Sequence, residues 1–397
     1  IGGVTQETYF WQGLRNNLNG VDPRTLAYPA YHYGMVLCSV RAAIGDNLSI
    51  RVRNDGGGLS NTLTYTVPAL AELDSDGDSL LDDWEENGYD ADGDGTIDVD
   101  LPAMGANPHH FDIFVEVDWM NGRAPTAAAW PVVEQTFADA PLLNVLYGSG
   151  IHIHIDRGQS TYTDLEGNVQ TIPAAERQGG QTLPFSDFIR MDGSASPLAD
   201  PGETTANFYT LKGSNFSSNR ADIFRYGIFA QFHGHSNCSS GRGEIWGNDL
   251  MITRTCSSDY FSNTNQLAGT FLHEFGHNLN FRHGGGSDGD NTNNEPNYLS
   301  VMNYLFQFPG VDNNCDQNPD GIFTYSQGLH NNLNESNLSE PNGICGNVAI
   351  DWNSNGNATQ TGLNFDINGD GSITTLTDFD NWGNLFFNFR DAPDFND

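Results

Sequence analysis

Lysine is almost missing from this chain: Lys212 is the only one, and lysine plus arginine number 16 against 51 aspartate plus glutamate. The resulting net charge of −35 excludes nucleic acid as a partner, because phosphate binding needs basic patches. Long apolar runs are missing too. None approaches the roughly 18 residues of a membrane-spanning helix, so no span is expected. There is no Gly-x-Ser-x-Gly elbow, no phosphate-binding loop and no dinucleotide fingerprint, so none of the chemistries that those motifs carry is indicated. Apolar residues are modest at 37%, while Gly, Asn, Ser and Asp are abundant. That composition predicts a loop-rich protein, long enough for one catalytic domain of ordinary size plus small additions. An acidic, lysine-poor surface suits a salty exterior and keeps a protein soluble. The chain begins at Ile1 without a methionine or a signal-peptide pattern, and is expected to be a processed mature form.

Against these absences stands the run from His273 to His283, which reads His-Glu-Phe-Gly-His-Asn-Leu-Asn-Phe-Arg-His. On a helix, His273 and His277 lie on one face, so both imidazoles can ligate one metal ion. Glu274 sits beside the first ligand, where a carboxylate can take a proton from water activated at the metal. His283 follows far enough on for the chain to leave the helix and return a third imidazole. Three neutral nitrogen ligands with an open fourth position describe a catalytic zinc site rather than a closed structural one. Manganese, cobalt or iron could occupy the same nitrogens. Two surface histidines on an amphipathic helix are the bland alternative, and the third histidine weighs against it.

Downstream comes Ser300-Val301-Met302-Asn303-Tyr304. With this element the chain resembles the metzincin clan of zinc endopeptidases, whose signature is H-E-x-x-H-x-x-G-x-x-H followed by a methionine-containing turn. The general look is similar to secreted bacterial, pappalysin-like members. His273, Glu274, His277 and His283 match position by position, and Met302 matches the turn methionine. The resemblance implies that Met302 forms a base beneath the metal, and that Tyr304 binds the metal at rest and swings to stabilise the oxyanion. Asn280 stands where the family has glycine. That position needs a left-handed backbone, and Asn is the next best residue for it.

The five cysteines are Cys38, Cys238, Cys256, Cys315 and Cys345. Cys238 and Cys256 flank an expected hairpin, and Cys315 and Cys345 lie in the loop-rich region after the methionine turn. Disulfides Cys238–Cys256 and Cys315–Cys345 are expected, and with them a secreted, oxidising location. Reduced core cysteines are the alternative. Cys38 is left over, either as a buried free thiol or as a latency ligand to zinc if residues 1–70 are a pro-region.

Residues 74–100 are dense in aspartate. Asp74, Asp76, Asp78, Asp82 and Glu85 fall at positions 1, 3, 5, 9 and 12 of a calcium loop, and Asp90, Asp92, Asp94 and Asp98 repeat the first four. Ser79 replaces the usual glycine of the first loop, and Leu101 replaces the last ligand of the second. A merely solvated acidic loop is the alternative. Near the end, Asp366, Asn368 and Asp370 resemble the first half of a dockerin-type calcium loop, with Asp378 one place late for the last ligand. The stretch from Asp351 to Gly356 is a weaker echo, as easily an Asn-Gly turn.

The remaining pattern reads as an α+β protein: a metzincin-like catalytic domain with a twisted mixed sheet, an active-site helix and a loop-rich C-terminal subdomain. Strands are expected at 111–118, 150–156 and 222–232, with a fourth element over 244–253, and helices at 127–139 and 265–279. The metzincin resemblance implies that an edge strand just before the zinc helix lies beside the substrate and pairs with its backbone. Four segments follow: a β-rich region at 1–70, a calcium-binding segment at 71–106, the zinc protease domain at 107–345 and a calcium-loop subdomain at 346–397. The pairs His152/His154 and His233/His235 read as satisfied polar or surface histidines rather than a second metal site.

The expected function is a secreted endopeptidase using Zn²⁺, braced by Ca²⁺, acting on protein or peptide substrates. Subunit number is not encoded in these motifs, and a monomer is the default expectation. The alternatives are a calcium-dependent extracellular binding or adhesion protein with a secondary or inactive protease domain, and a zinc hydrolase acting on a non-peptide bond.

Overall fold

The computed structural model describes residues 47–50, 62–66 and 73–395, except 145–147, 165–166, 193–201, 235–237, 256–262, 286–291, 317, 347 and 393–394. Cys38, Cys256 and His235 fall outside the described residues, as does most of the segment 1–70. Of that segment, strands β1 (Asn47–Ile50) and β2 (Leu63–Thr66) form an antiparallel pair.

The central sheet is built on β3 (Asp112–Met120), which is buried along its whole length. A strand with two covered faces needs both sets of alternate side chains accommodated. Ile113, Val115, Val117 and Trp119 enter the main apolar core. On the other face, Glu116 and Asp118 are buried and held by polar partners. Arg220 Nε lies 2.8 Å from Glu116 Oε2, its Nη2 donates to Asp156 Oδ2 at 2.6 Å, and Tyr226 Oη donates to Asp118 Oδ2 at 2.6 Å. Burial pushes the carboxyls of Glu116 and Asp118 up to about 8 and about 6.

Around β3 lie β4 (His152–Asp156), β5 (Thr182–Leu183) and β6 (Phe224–Ala230), all parallel to it. β7 (Gly241–Gly243) and β8 (Asp249–Thr253) make a hairpin whose β8 runs parallel to β6. The order is β7-β8-β6-β3-β4, with β5 continuing the β4 side of β3. The sheet is therefore mixed, and β7 is its edge.

Three helices matter to the site: α1 (Asp82–Asn87), α2 (Ala129–Ala138) and α3 (Thr264–Asn278). α3 starts one residue before its expected position and ends one residue earlier. Asn263 caps it, its side chain accepting from Gln266 N–H at 3.1 Å. α2 and α3 cover the same face of the sheet, meeting through edge-on contacts of Trp130 with Phe271 and of Phe137 with Phe275, both at 5.6 Å between ring centroids.

Beyond α3 the described chain has only two- and three-residue strands and a single 3₁₀ turn. This part is held by a separate apolar cluster from Leu299 to Leu376 and by the disulfide Cys315–Cys345. Residues on both sides of the expected 345/346 boundary share that cluster, since Leu333 pairs with Leu376 and Leu338 with Leu363. The aspartate-rich segment likewise packs onto the sheet, through Leu80, Tyr89, Val99, Leu101 and Met104 against Phe114 and Phe224.

Phe137 is fully buried and touches aromatic rings on both sides of this junction: Phe275 of α3, and Tyr325 and Trp382 of the loop-rich part. Phe137→Ala is expected to lower unfolding free energy by about 3–5 kcal/mol, checked by urea denaturation. A cost below about 1 kcal/mol would show that the two parts are held together elsewhere.

Candidate functional site

Every residue of α3 from Leu267 to Asn278 is buried. Two glycine positions permit this close packing. At Gly276 a Cβ would strike Met302 Sδ, so the methionine lies directly against the turn of helix between His273 and His277. In β7, a Cβ on Gly241 would come within 2.7 Å of Glu274 Cγ. The hairpin edge and the helix thus approach backbone to backbone.

His273, His277 and His283 bring their ring nitrogens within 4.8 Å of one another. Their ring centroids form a near-equilateral triangle with sides of 5.0, 5.2 and 5.1 Å. His273 Nδ1 is 2.8 Å from the carbonyl of Val301, and His277 Nδ1 is 2.8 Å from that of Phe281. A carbonyl only accepts, so each Nδ1 carries the proton and each Nε2 keeps its lone pair for a metal. Burial holds His273 well below its ordinary pKa, His277 down to about 4, and His283 below its ordinary value as well. All three are neutral at neutral pH, as metal ligation requires.

The third histidine arrives through the turn at Asn280. Its φ is +73°, in the left-handed region. Asn280 N–H donates to the His277 carbonyl and Phe281 N–H to the Gly276 carbonyl, both at 2.9 Å, the paired bonds that close a helix end. The same turn swings the Phe281 carbonyl back onto His277 Nδ1.

Glu274 lies beside the cleft, and burial pushes its carboxyl up to about 8, opposed by a Gly243 backbone hydrogen bond and the Arg242 charge. Tyr304 is 52% exposed, with its ring 5.4 Å from that of His273 and 4.6 Å from that of His283. Burial and the Glu274 charge raise its pKa. These groups line an open cleft of about 590 Å³ that also includes Arg242, Gln307 and Phe308.

The aspartate loops are organised alike. In the first, Asp74 accepts from the N–H groups of Gly77 and Ser79, Asp76 from Asp78 and Asp78 from Leu80. Ser79 adopts φ +77°, the conformation a glycine would supply. Asp82 turns to the loop itself, accepting from Ser75 N–H and Oγ, both at 2.7 Å. Asp82 still lies close enough to act on Asp76 and Glu85, and Asp112 of β3, which strand alternation gave no reason to single out, joins these carboxylates. Oxygens of Asp78, Glu85 and Asp112 lie within 4.8 Å of one another, as do those of Asp74, Asp76 and Asp78.

Asp78, Glu85 and Asp112 are all buried, and neither Glu85 oxygen has a hydrogen-bond partner. Burial first, then the neighbouring carboxylates, pushes Asp76 up to about 7 and Glu85 up to about 10. Orphaned, buried carboxylate oxygens of this kind fit a hard cation with oxygen ligands, calcium above all. His154 donates to Asp112 Oδ1 at 2.6 Å, so this histidine is a satisfied polar group.

The second loop repeats the pattern. Asp90 accepts from Gly93 and Gly95, Asp92 from Asp94, and Asp94 from Thr96, while Asp98 accepts from Ala91. This loop is largely exposed. In the third, Asp366 accepts from Gly369 and Gly371, Asn368 from Asp370, and Asp370 from Ser372. Buried Glu335 closes it, accepting from Ile367 and Thr374 N–H at 2.8 Å each, whereas Asp378 turns away to Ser326 and His330.

The Asp351–Gly356 turn has the same bonds, and so does an unforeseen stretch. Asp312, Asn314 and Asp316 accept along the chain and Asp320 accepts from Asn313. Its alternation of Asp and Asn was visible in the sequence, but Cys315 drew attention to the disulfide instead. Cys315 is joined to Cys345, and Cys238 is disulfide-bonded, while Cys256 lies outside the described residues.

Two expectations follow. Asn280→Gly is expected to be neutral, whereas Asn280→Val places a branched side chain at positive φ and should cost about 1–2 kcal/mol. The valine variant should also weaken zinc binding by about 10–100-fold through the misplaced Phe281 carbonyl, read by chelator competition. Equal zinc affinity in both variants would detach the turn from the ligand set.

The second concerns calcium and pH. Without a cation, folded Asp76 and Glu85 hold protons up to about pH 7 and about pH 10, against ordinary values of 3.8 and 4.5. The folded state then binds more protons than the unfolded one across that window, so stability falls as pH rises through it. Calcium should flatten this slope, and at a hundredfold excess over its Kd add about 3 kcal/mol. Thermal melts at several pH values, with calcium and with chelator, read both; identical slopes would refute the cation site. Comparison with known proteins finds no family model that matches this chain and no curated protein that matches it.

Proposed function

We propose that this protein is a zinc-dependent endopeptidase of the metzincin type, secreted and braced by calcium. The observation that carries the reading is the convergence of three neutral imidazoles, two with Nδ1 tied to backbone carbonyls, beside a buried carboxylate in an open cleft. Bound zinc would supply the Lewis acid that polarises water and the scissile carbonyl. His273, His277 and His283 would hold it. Glu274 takes the water proton and passes it to the leaving amine, a role suited to a carboxyl raised toward neutrality. Tyr304 has a hydroxyl free to donate to the oxyanion. β7 gives an extended substrate an edge to pair with.

Met302 against Gly276, and the Val301 carbonyl on His273, support the metzincin assignment through the turn that follows the third ligand. The disulfide Cys315–Cys345 supports an oxidising compartment. The five similar Asx-rich loops are what favours the adhesion reading. That reading leaves the imidazole cluster and Glu274 without a purpose.

Hydrolysis of labelled casein by the zinc-loaded protein tests the proposal, run beside Glu274→Ala and His277→Ala. The first variant should keep its zinc and lose about 10²–10⁴-fold in rate. The second should lose the metal as well as the activity. Undiminished cleavage by Glu274→Ala would sink the mechanism.

A further inference from the structure

The cleft contains one cation that nothing so far explains. Of its lining residues only Arg242 is a lysine or arginine. It is the middle residue of β7, flanked by Gly241 and Gly243, and it is exposed. Both glycines face α3, since a Cβ on either would meet Glu274. Strand alternation therefore turns the Arg242 side chain to the opposite face. Its charge is felt by Glu274 on one side and by His233 on the other.

The Arg242 side chain makes no hydrogen bond or ion pair among the described residues, which is unusual in this molecule. Arg157 pairs with Glu176, Arg190 with Asp192, and Arg220 with Glu116 and Asp156. Where acidic residues outnumber basic ones 51 to 16, an arginine left without a carboxylate on the rim of a cleft is placed for one that arrives from outside.

Resting on the peptidase reading above, we propose that Arg242 is a specificity-determining residue that selects substrates presenting a carboxylate beside the scissile bond. A peptide paired to the free edge of β7 alternates its side chains about the sheet plane. Half of them share the face of Arg242. Directly opposite residues on paired strands hold their Cβ atoms about 4.5–5.5 Å apart, within reach of a two-pronged guanidinium–carboxylate contact. The carboxylate comes from an Asp or Glu side chain, or from the substrate's own C-terminus. The acidic surface repels such substrates in general, so a single cation at the cleft gives them one position to bind and fixes their register.

The test is cleavage-site mapping on peptide libraries with free and with amidated C-termini, using the full zinc-loaded chain as wild type, R242Q and R242E. The wild type is expected to favour Asp or Glu at one fixed distance from the cut, or a free C-terminus at that distance. Loss of cleavage on amidation assigns the C-terminal source, and indifference to it assigns the side chain. R242E should lower kcat/KM for the favoured peptides by about five- to tenfold and raise it for peptides with Lys or Arg at that position. R242Q should flatten the preference without reversing it. An unchanged preference in R242E overturns this proposal and leaves the peptidase reading standing. A wild type that cuts no peptide overturns both.

Discussion

The structure depends on the burial of one helix. From Leu267 to Asn278 nothing in α3 reaches solvent freely, so each polar group it carries needs a partner or a function. The partners can be named. Thr270 Oγ1 bonds back to the Gln266 carbonyl, Asn278 Nδ2 to the carbonyls of Glu244 and Asp249, and Tyr325 Oη donates to the Leu272 carbonyl. His273 and His277 each give one nitrogen to a backbone carbonyl. What faces the cleft is the Nε2 of two histidines and the carboxylate of Glu274, the latter reached by a Gly243 backbone hydrogen bond. The site is thus what the helix leaves facing the cleft, and away from it Asn278 Oδ1 is a further buried atom of the helix without a partner among the described residues. The elements around it, the β7–β8 hairpin, the Asn280 turn and the methionine turn, are positioned by the bonds that satisfy the rest.

A second constraint runs through the carboxylates. A chain with a net charge of −35 gains little from burying more of them, yet Asp78, Glu85 and Asp112 are buried together where α1 meets β3. Among the described residues Glu85 has no cationic partner, and Asp112 has only the histidines His154 and His152, at 2.6 and 3.7 Å. Like charges at such distances in a poorly solvated site cost several kcal/mol unless protons or a cation offset them. Asp112 makes this more than a local matter. It begins the strand on which the sheet is built, so a cation held there would tie the aspartate-rich segment to the central sheet. That tie suits a chain whose C-terminal third has few long elements to pack.

The cluster of three imidazoles was legible in the sequence because helical spacing brings His273 and His277 together, and because Asn280 stands where the metzincin resemblance implies a left-handed turn. The parallel strands β3, β4, β6 and β8 and the helix α2 were legible from apolar periodicity, within a few residues, whereas the short β5 was not. Asp112 was not, since an aspartate opening an apolar strand looks like any polar strand end. Its role appears only when α1 is folded against it. Ser79 was readable only as a departure from glycine, and the structure shows the backbone taking the glycine conformation regardless. The reason for Gly276 and Gly241 lies in what packs against them, Met302 and Glu274, and no local pattern encodes that. Position counting put Asp82 among the ligands. In the structure Asp82 accepts from Ser75 while still lying beside Asp76 and Glu85.

The groups around the cleft differ in freedom, and the difference is chemical. His273, His277 and Glu274 are fixed on the buried helix, which suits the metal ligands and base of the proposed reaction, whose geometry would be set before substrate arrives. Tyr304 is tied by its backbone alone, its N–H donating to Asn293 Oδ1 at 3.0 Å, while its side chain is half exposed. A donor that serves only when charge develops on the substrate oxygen gains from being able to approach late, since contacts made only in the transition state raise the rate while those made equally in the ground state do not. Fixed imidazoles and a half-exposed phenol on adjoining elements are the division of labour that the proposed hydrolysis by an activated water would use.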